Sequence, residues 1–212
     1  MSDTIDLDLL DESFGEMLGT EWPRERSVAH ARSGNLIAAD LWSQMAGLGW
    51  TALTVPEEFG GLGLGIDAAS RLHTALGAVS APVPMLGTTM ATVLVAYAGS
   101  DSQRSAWLPK LADGSMRVGF AQPSGTRLEI EESGVAGAVP DILDAPRATH
   151  LILNGVRQGG NCWIVLPTDA AGLSLEAHPL VDTSRTLGTA TLSQVALAED
   201  SVISPPDGQR VA

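Results

Sequence analysis

The sequence is short of several residue types that particular functions require. Its 212 residues contain one cysteine, so an intramolecular disulfide framework is excluded. That residue, Cys162, lies in an apolar run and is predicted to be a buried hydrophobic side chain rather than a nucleophile. Only 12 basic residues stand against 25 acidic ones, a net charge of −13. The chain therefore lacks the cationic surface that binds nucleic acid or an anionic membrane.

Long apolar runs are also missing. No stretch of about 18 apolar residues could span a bilayer, and the acidic amino terminus does not have the cationic and then apolar order of a signal peptide. We therefore expect a soluble, cytoplasmic protein.

The first half has helical periodicity. Apolar residues recur every three or four positions in the segments 7–17, 37–48, 66–79 and 86–98, and Asp101 is expected to cap a further helix over 102–114. The segment 86–98 is apolar almost all round, which predicts burial on every side. Between these helices, the stretch 49–65 contains Pro56 and five glycines and is predicted to be an ordered loop.

The second half has the pattern of short strands separated by turn residues. The predicted strands are 117–122, 127–131, 134–139, 149–153, 162–166, 172–177 and 189–197. We expect a segregated α+β chain, with an all-α helical domain over 1–115 followed by a small antiparallel β-barrel or sandwich over 116–212.

General motifs add little chemistry. The four histidines (His30, His73, His150 and His178) lack metal-ligand spacing, so no metal site is predicted, and His73 is expected to be a packed or partly exposed core residue rather than a ligand. The GGLGLG run at 60–65 follows no strand, which excludes a dinucleotide-binding fingerprint. The five tryptophans are expected to be core residues.

One longer string is specific. LWSQMAGLGWTALTVPEEFGGLGLG at 41–65 resembles the amino-terminal signature of the acyl-CoA dehydrogenase family. Three further stretches are similar to family segments: WLPKLADG at 107–114, VAGAVPDILDAPRATHLIL at 135–153 and DTSRTLGTATLSQVAL at 182–197. The predicted order of helices and then strands also matches the family, whose helical domain precedes a small β-barrel.

The resemblance implies flavin chemistry on a thioester substrate. Family members use FAD to desaturate the Cα–Cβ bond of an acyl-CoA, and a glutamate removes the α proton while the flavin accepts the β hydride. In relatives the flavin lies between the β domain and a carboxy-terminal four-helix domain, next to a neighbouring subunit.

The first cofactor-binding segment implied by the resemblance is FAQPSGTRLE at 120–129. Gly125 matches the family pattern, as does Pro123, and Thr126 keeps a hydroxyl. Ala121 replaces a threonine that meets the flavin, and Gln122 replaces a glutamate. Ala121 has no side-chain donor, so only its backbone amide remains available to a flavin.

The second cofactor-binding segment is DILD at 141–144. Asp141 stands where relatives place an aromatic residue over the flavin, and Leu143 stands where they have a hydroxyl. Both departures indicate that this chain has lost part of its flavin cradle.

The family's catalytic glutamate lies in the four-helix domain, beyond the equivalent of residue 212, so no catalytic residue is assigned. Glu57 and Glu58 belong to the loop signature and are expected to organise that loop. On the substrate side, Asp182 and Arg185 match family positions, and either a site role or a structural ion pair fits them.

These features predict a subunit or fragment of an acyl-CoA dehydrogenase that takes part in desaturating an acyl-CoA in fatty acid or steroid degradation. It would bind FAD only together with a partner chain or the absent four-helix domain, and would be inactive alone. It resembles the degenerate chain of bacterial heteromeric enzymes. The alternatives are a non-catalytic scaffold that pairs with a full-length acyl-CoA dehydrogenase and, less favoured, an oxidase or monooxygenase on the same scaffold.

Overall fold

Six α-helices precede an eight-stranded sheet in the computed structural model, which describes residues 7–122 and 125–204. The helices are α1 Leu7–Glu21, α2 Arg24–Ser33, α3 Ala39–Gly47, α4 Ile66–Ala78, α5 Met85–Ala98 and α6 Asp101–Ala112. The strands are β1 Val118–Phe120, β2 Arg127–Glu131, β3 Gly134–Leu143, β4 His150–Arg157, β5 Gly160–Pro167, β6 Leu173–Ala177, β7 Leu187–Val195 and β8 Val202–Ile203. The predicted segregated α+β architecture is confirmed.

The helical half has its own buried core between α1, α3 and α4. Phe14 and Trp50 meet edge to face, with ring centroids 4.8 Å apart. Trp42 is buried beside them, and its indole nitrogen donates to the carbonyl oxygen of Gly114 at 2.9 Å. Four of the five tryptophans are buried and Trp107 is half-buried, so their expected role in packing is confirmed.

Helix α2 has no counterpart among the predicted elements. Its sequence is polar on every side and none of its residues is buried, so it has no apolar stripe to detect. Its ends carry the available signals: Pro23 precedes the first turn, and Gly34 follows the last turn with a φ of 75°.

The start of α6 differs from expectation by one residue. Ser100, not Asp101, is the N-cap. The Ser100 hydroxyl accepts a hydrogen bond from the backbone nitrogen of Gln103, whose side-chain oxygen accepts from the backbone nitrogen of Ser100. This reciprocal capping box satisfies two amides that would otherwise lack partners at the helix end.

The stretch 49–65 is the ordered loop that its sequence predicts. Backbone hydrogen bonds hold it, including Leu62 to Ala52 and Gly63 to Val55. A side chain at Gly61 would overlap the carbonyl of Val55, so this position requires glycine. Glu57 and Glu58 lie exposed on the surface of this loop.

The sheet has the strand order β6-β7-β3-β1-β4-β5-β8, with β2 pairing to β3 and β4. Most neighbours are antiparallel as expected, but β1 and β2 both run parallel to β4. Cys162 is buried in β5, as predicted, and burial raises the pKa of its thiol.

The helical half and the sheet also share a buried cluster of apolar side chains. Val95, Leu108 and Leu111 from α5 and α6 pack with Phe120 and Ile152 from the strands. The closest approach is between α5 and β1, where a Cβ atom added at Gly87 would overlap the Val118 carbonyl oxygen.

One face of α5 remains exposed, which corrects the prediction of burial on every side. The side chains of Val93 and Tyr97 are 48% and 58% exposed, and Leu86 is 37% exposed. The uniform apolar character of 86–98 therefore reflects two surfaces, one packed on β1 and one open. No described helix is long and apolar enough to cross a membrane.

The contact at Gly87 gives a stability test. Gly87→Ala should lower the free energy of unfolding by about 1–3 kcal/mol, because the methyl group pushes α5 away from β1. Gly77→Ala in α4 is the matched control: its Cβ meets nothing within 4 Å, and the change should be neutral or stabilise by up to about 1 kcal/mol. Urea denaturation of both variants measures the difference, and equal effects would contradict the packing described.

Candidate functional site

The sheet brings two of the predicted cofactor positions together. Phe120 at the end of β1 is paired with Leu143 at the end of β3, so Ala121 and Leu143 lie at adjoining strand ends. Of the neighbouring predicted positions, Gln122, Gly125 and Thr126 are exposed, and Pro123 lies outside the described residues.

Two backbone donors at this edge are already used within the chain. The Ala121 nitrogen donates to the carbonyl oxygen of Ile152 at 2.9 Å, and the Gly125 nitrogen donates to that of Gln122 at 2.9 Å. The side-chain nitrogen of Asn154 also donates to Gln122, at 2.6 Å. The expectation that the Ala121 amide stays available to a flavin is therefore corrected, because the sheet consumes it.

Asp141 lies at an irregularity in β3. The pairing with β7 shifts between Val139 and Ile142, and Asp141 has a φ of 54°, in the left-handed region. Aspartate and asparagine tolerate this conformation better than bulky residues do. The backbone therefore explains why an aromatic residue is disfavoured at this position.

The Asp141 carboxylate is held by a histidine. His178 Nδ1 lies 3.3 Å from Asp141 Oδ1, and His178 Nε2 lies 2.9 Å from the hydroxyl of Thr189. This chain of contacts joins β3, β7 and the residue after β6. It also leaves a carboxylate and an imidazole on the surface where the family pattern places an aromatic side chain.

The conformation of Asp141 gives a test with an internal control. Asp141→Asn removes the charge but keeps a residue that tolerates positive φ, and should change the free energy of unfolding by less than about 0.5 kcal/mol. Asp141→Trp restores the aromatic residue and should destabilise by about 1–2 kcal/mol more, since its Cβ and ring are strained in this region. Thermal and urea unfolding of both variants give the comparison. A Trp variant as stable as the Asn variant would show that the bulge accepts the family residue.

The substrate-side positions lie in the segment 182–186. Asp182 Oδ1 accepts hydrogen bonds from the Ser184 nitrogen at 2.9 Å and the Ser184 hydroxyl at 2.6 Å. The hydroxyl bond is the largest cause of the lowered pKa of Asp182. The side chains of Asp182 and Arg185, both in the described part of the chain, do not come within ion-pair distance, and the two residues are linked by a backbone hydrogen bond of 3.4 Å instead.

A buried ion pair between Asp144 and Arg147 lies on the interior side of this segment and is hydrogen-bonded to its backbone. Arg147 Nε and Asp144 Oδ1 are 3.6 Å apart, and both side chains are fully buried. Arg147 Nη1 donates to the carbonyl oxygen of Ser184 at 3.2 Å, and the Asp144 nitrogen donates to that of Thr186 at 2.8 Å. Sequence analysis missed this pair, although the charged DAPR tetrapeptide between two apolar strands was a signal for it.

Burial raises the pKa of Asp144 from 3.8 to about 6 and lowers the pKa of Arg147. For Asp144 the removal from water outweighs the attraction of the guanidinium. The folded chain therefore holds a proton at Asp144 more tightly than the unfolded chain does. The associated stabilisation is complete below about pH 4 and is lost as the pH rises through about 6.

This linkage predicts how an amide replacement behaves. Asp144→Asn, which tolerates the positive φ of 58° at this position, cannot lose a proton. Relative to the unchanged chain, it should gain about 1–3 kcal/mol of stability between pH 4 and pH 7. Urea denaturation at both pH values measures that difference. If Asp144→Asn instead lost stability relative to the unchanged chain between pH 4 and pH 7, the attraction of Arg147 would outweigh the burial of Asp144.

Two adjoining cavities lie between the helices and the strands. The apolar groove has a volume of about 550 Å³ and is lined by Ile66, Ser70, His73, Leu86, Thr89, Met90, Val93, Leu94, Tyr97, Phe120 and Trp163. The polar chamber has a volume of about 240 Å³ and is lined by His73, Leu76, Gly77, Ser80, Ala81, Val83, Met85, Leu86, Asp182, Ser184 and Arg185. The larger volume is in the range of small-molecule sites.

His73 and Leu86 belong to both cavities. His73 is half-buried, within the expected range of a packed or partly exposed core residue, and it lies between the two spaces. Its Nε2 lies 3.2 Å from the hydroxyl of Thr89 on α5. Burial lowers the pKa of His73, and the charge of Arg185 lowers it further, so the ring is neutral at pH 7.

Helices α4 and α5, which line the groove, lie in the part of the chain that matches a known family. The family model for the acyl-CoA dehydrogenase N-terminal domain matches residues 6–115. This chain belongs to the acyl-CoA dehydrogenase family. The match spans all six helices of this acyl-CoA dehydrogenase family member, including α4 and α5, which line the groove.

Similar proteins extend the match into the sheet. The acyl-CoA dehydrogenase FadE12 of Mycobacterium tuberculosis is 29% identical over 129 residues, which are 60% of this chain and 29% of FadE12. A structure of the Tcur3481–Tcur3483 steroid ACAD has a TM-score of 0.81 at 26% identity, covering 94% of this chain and 57% of that one. The ChsE4–ChsE5 complex from Mycobacterium tuberculosis has a TM-score of 0.85 at 16% identity, covering 97% and 58%. This family member thus spans less than two thirds of each relative.

Acyl-CoA dehydrogenase relatives have been solved with FAD or FADH2, but the described residues of this chain do not form a matching cradle. The amides of Ala121 and Gly125 are consumed, Leu143 offers no hydroxyl, and Asp141 presents a carboxylate paired with His178. The exposed side chains of Gln122 and Thr126 remain as donors, but without the two amides, a hydroxyl at position 143 and an aromatic face these strand ends do not fit a flavin ring as the family's do.

Proposed function

We propose that this chain is a flavin-poor subunit, or the corresponding part, of an acyl-CoA dehydrogenase that desaturates an acyl-CoA thioester. A second acyl-CoA dehydrogenase chain would supply most contacts to FAD and the catalytic base. The observation that carries this proposal is that Ala121, Asp141 and Leu143, which match the family's flavin segments by sequence resemblance, carry neither the hydroxyl groups nor the aromatic residue of those segments.

The glutamate that serves as the base in the family has no counterpart among the described residues that line the groove. No carboxylate of these residues lines it, and Glu57 and Glu58 lie on the exposed loop instead. His73 does line the groove, but its Nε2 lies 3.2 Å from the Thr89 hydroxyl. Since removal of an α proton needs a base within hydrogen-bond reach of the substrate, we propose that the glutamate base lies outside the described residues.

The exposed apolar face of α5 supports a partner. Val93 and Tyr97 point out of the helix at 48% and 58% exposure, and Ile66 on α4 is 66% exposed beside the same groove. An apolar surface of this kind is costly to leave in water. The names of two structural relatives each join two chains, which is the arrangement proposed here. A partner across the groove would also exclude water from the acyl group.

The test is reconstitution with candidate acyl-CoA dehydrogenase chains by co-expression. The chain alone should be colourless and should not reduce an electron acceptor with acyl-CoA, whereas the co-purified complex should carry FAD and turn over. Turnover by the chain alone, or a complex without flavin, would contradict the proposal. A partner whose turnover is the same without this chain would favour the alternative function, a non-catalytic scaffold.

A pair of matched variants tests whether the exposed face of α5 binds the partner chain. Val93→Asp places a charge on the exposed face of α5 and should abolish co-purification. Val28→Asp, at a valine of similar exposure (40%) on the polar helix α2, should leave it unchanged. Pull-down from the co-expressing cells measures both, and retention of the partner by Val93→Asp would place the interface elsewhere.

A further inference from the structure

The apolar groove and the polar chamber adjoin each other, since His73 and Leu86 line both. For a ligand that lies along α5 in the groove, the chamber is the next space beyond these two side chains. The groove offers aliphatic and aromatic walls, and the chamber adds charged and hydroxyl groups. A ligand that fills both spaces must be apolar along most of its length and polar at one end.

The charges of the chamber indicate which polar group fits. Asp182 has its Oδ1 engaged by two hydrogen bonds from Ser184. Arg185 forms no ion pair with any residue in 7–122 or 125–204, so its guanidinium is available to a ligand. Its charge reaches across the chamber, because it lowers the pKa of His73. A guanidinium binds carboxylates with particular geometric fit.

The backbone that carries Arg185 is held in place. The Arg147 side chain donates to the carbonyl oxygen of Ser184, and the backbone nitrogen of Asp144 donates to that of Thr186, so both neighbours of Arg185 are fixed from the buried side. The backbone position of Arg185 is therefore set by the fold, and only its exposed side chain remains free to adjust.

Resting on the proposed function, the geometry points to an acyl-CoA substrate with a second carboxylate at the far end of its acyl group. The apolar part of the acyl group would lie along α5, between Val93 and Phe120. The terminal carboxylate would lie in the polar chamber against Arg185, next to the neutral ring of His73.

Calorimetric titration of the 212-residue chain tests this without any flavin. The probes are decanoyl-CoA and the mono-CoA thioester of decanedioic acid, which differ in the terminal carboxylate. The unchanged chain should bind the diacid thioester about tenfold more tightly, as expected for one charge-assisted hydrogen bond. Arg185→Met should remove this preference and change the affinity for decanoyl-CoA by less than about twofold, whereas Arg185→Lys should keep part of it.

Arg157→Met is the control, since Arg157 is an exposed arginine at the end of β4, outside both cavities, and its loss should leave both affinities unchanged. Equal binding of the two thioesters by the unchanged chain would overturn the diacid inference and leave the proposed function standing. Equal weakening of both by Arg185→Met would also overturn it, because the arginine would then support the fold. Failure of both thioesters to bind would overturn the inference, because it requires the groove and the chamber of this chain to hold the acyl group, and would leave the proposed function to be decided by the reconstitution experiment.

Discussion

The packing of α5 on β1 is the contact on which the candidate site depends. Gly87 lets the helix backbone lie against the Val118 carbonyl, and the Thr88 hydroxyl accepts a hydrogen bond from the Val118 nitrogen at 3.2 Å. One face of α5 is thereby committed to the sheet. The opposite edge faces the groove, and Phe120 at the end of β1 becomes part of the groove wall. A shift of this helix would change the shape of the site and the shared core at the same time.

Much of the fold could be predicted from the sequence because its signals are local. The apolar stripes of α1, α3 and α4 consist of residues three or four positions apart. The glycine-rich loop at 49–65 and the turn residues between strands are also recognised from a few neighbouring residues. Helix α2 could not be found in this way, since the side that meets the core does so through polar side chains, with Arg26 and His30 packed on Trp22. The parallel pairing of β1 with β4 joins segments separated by β2 and β3, and periodicity carries no information about such a partner.

The candidate site was predictable only where a family pattern supplied positions. That pattern located Ala121, Asp141 and Leu143, and the sheet register then placed Ala121 and Leu143 at adjoining strand ends. It could not show that the Ala121 amide is consumed, nor that Asp141 has a positive φ, because both depend on pairing with distant strands. The proximity of His73 and Arg185 likewise arises from packing between α4 and the segment before β7.

The buried pair of Asp144 and Arg147 has a consequence for the entropy of binding. The segment 182–186 is ordered before any ligand arrives, since its carbonyl groups at Ser184 and Thr186 accept bonds from buried donors. A ligand that reaches Arg185 therefore has to immobilise one side chain rather than a whole loop. Ordering a single long side chain costs about 0.5–1.5 kcal/mol, so most of the free energy gained at the guanidinium remains as affinity. The Asp144–Arg147 pair, although costly to remove from water, thus orders the segment that presents Arg185 to a ligand.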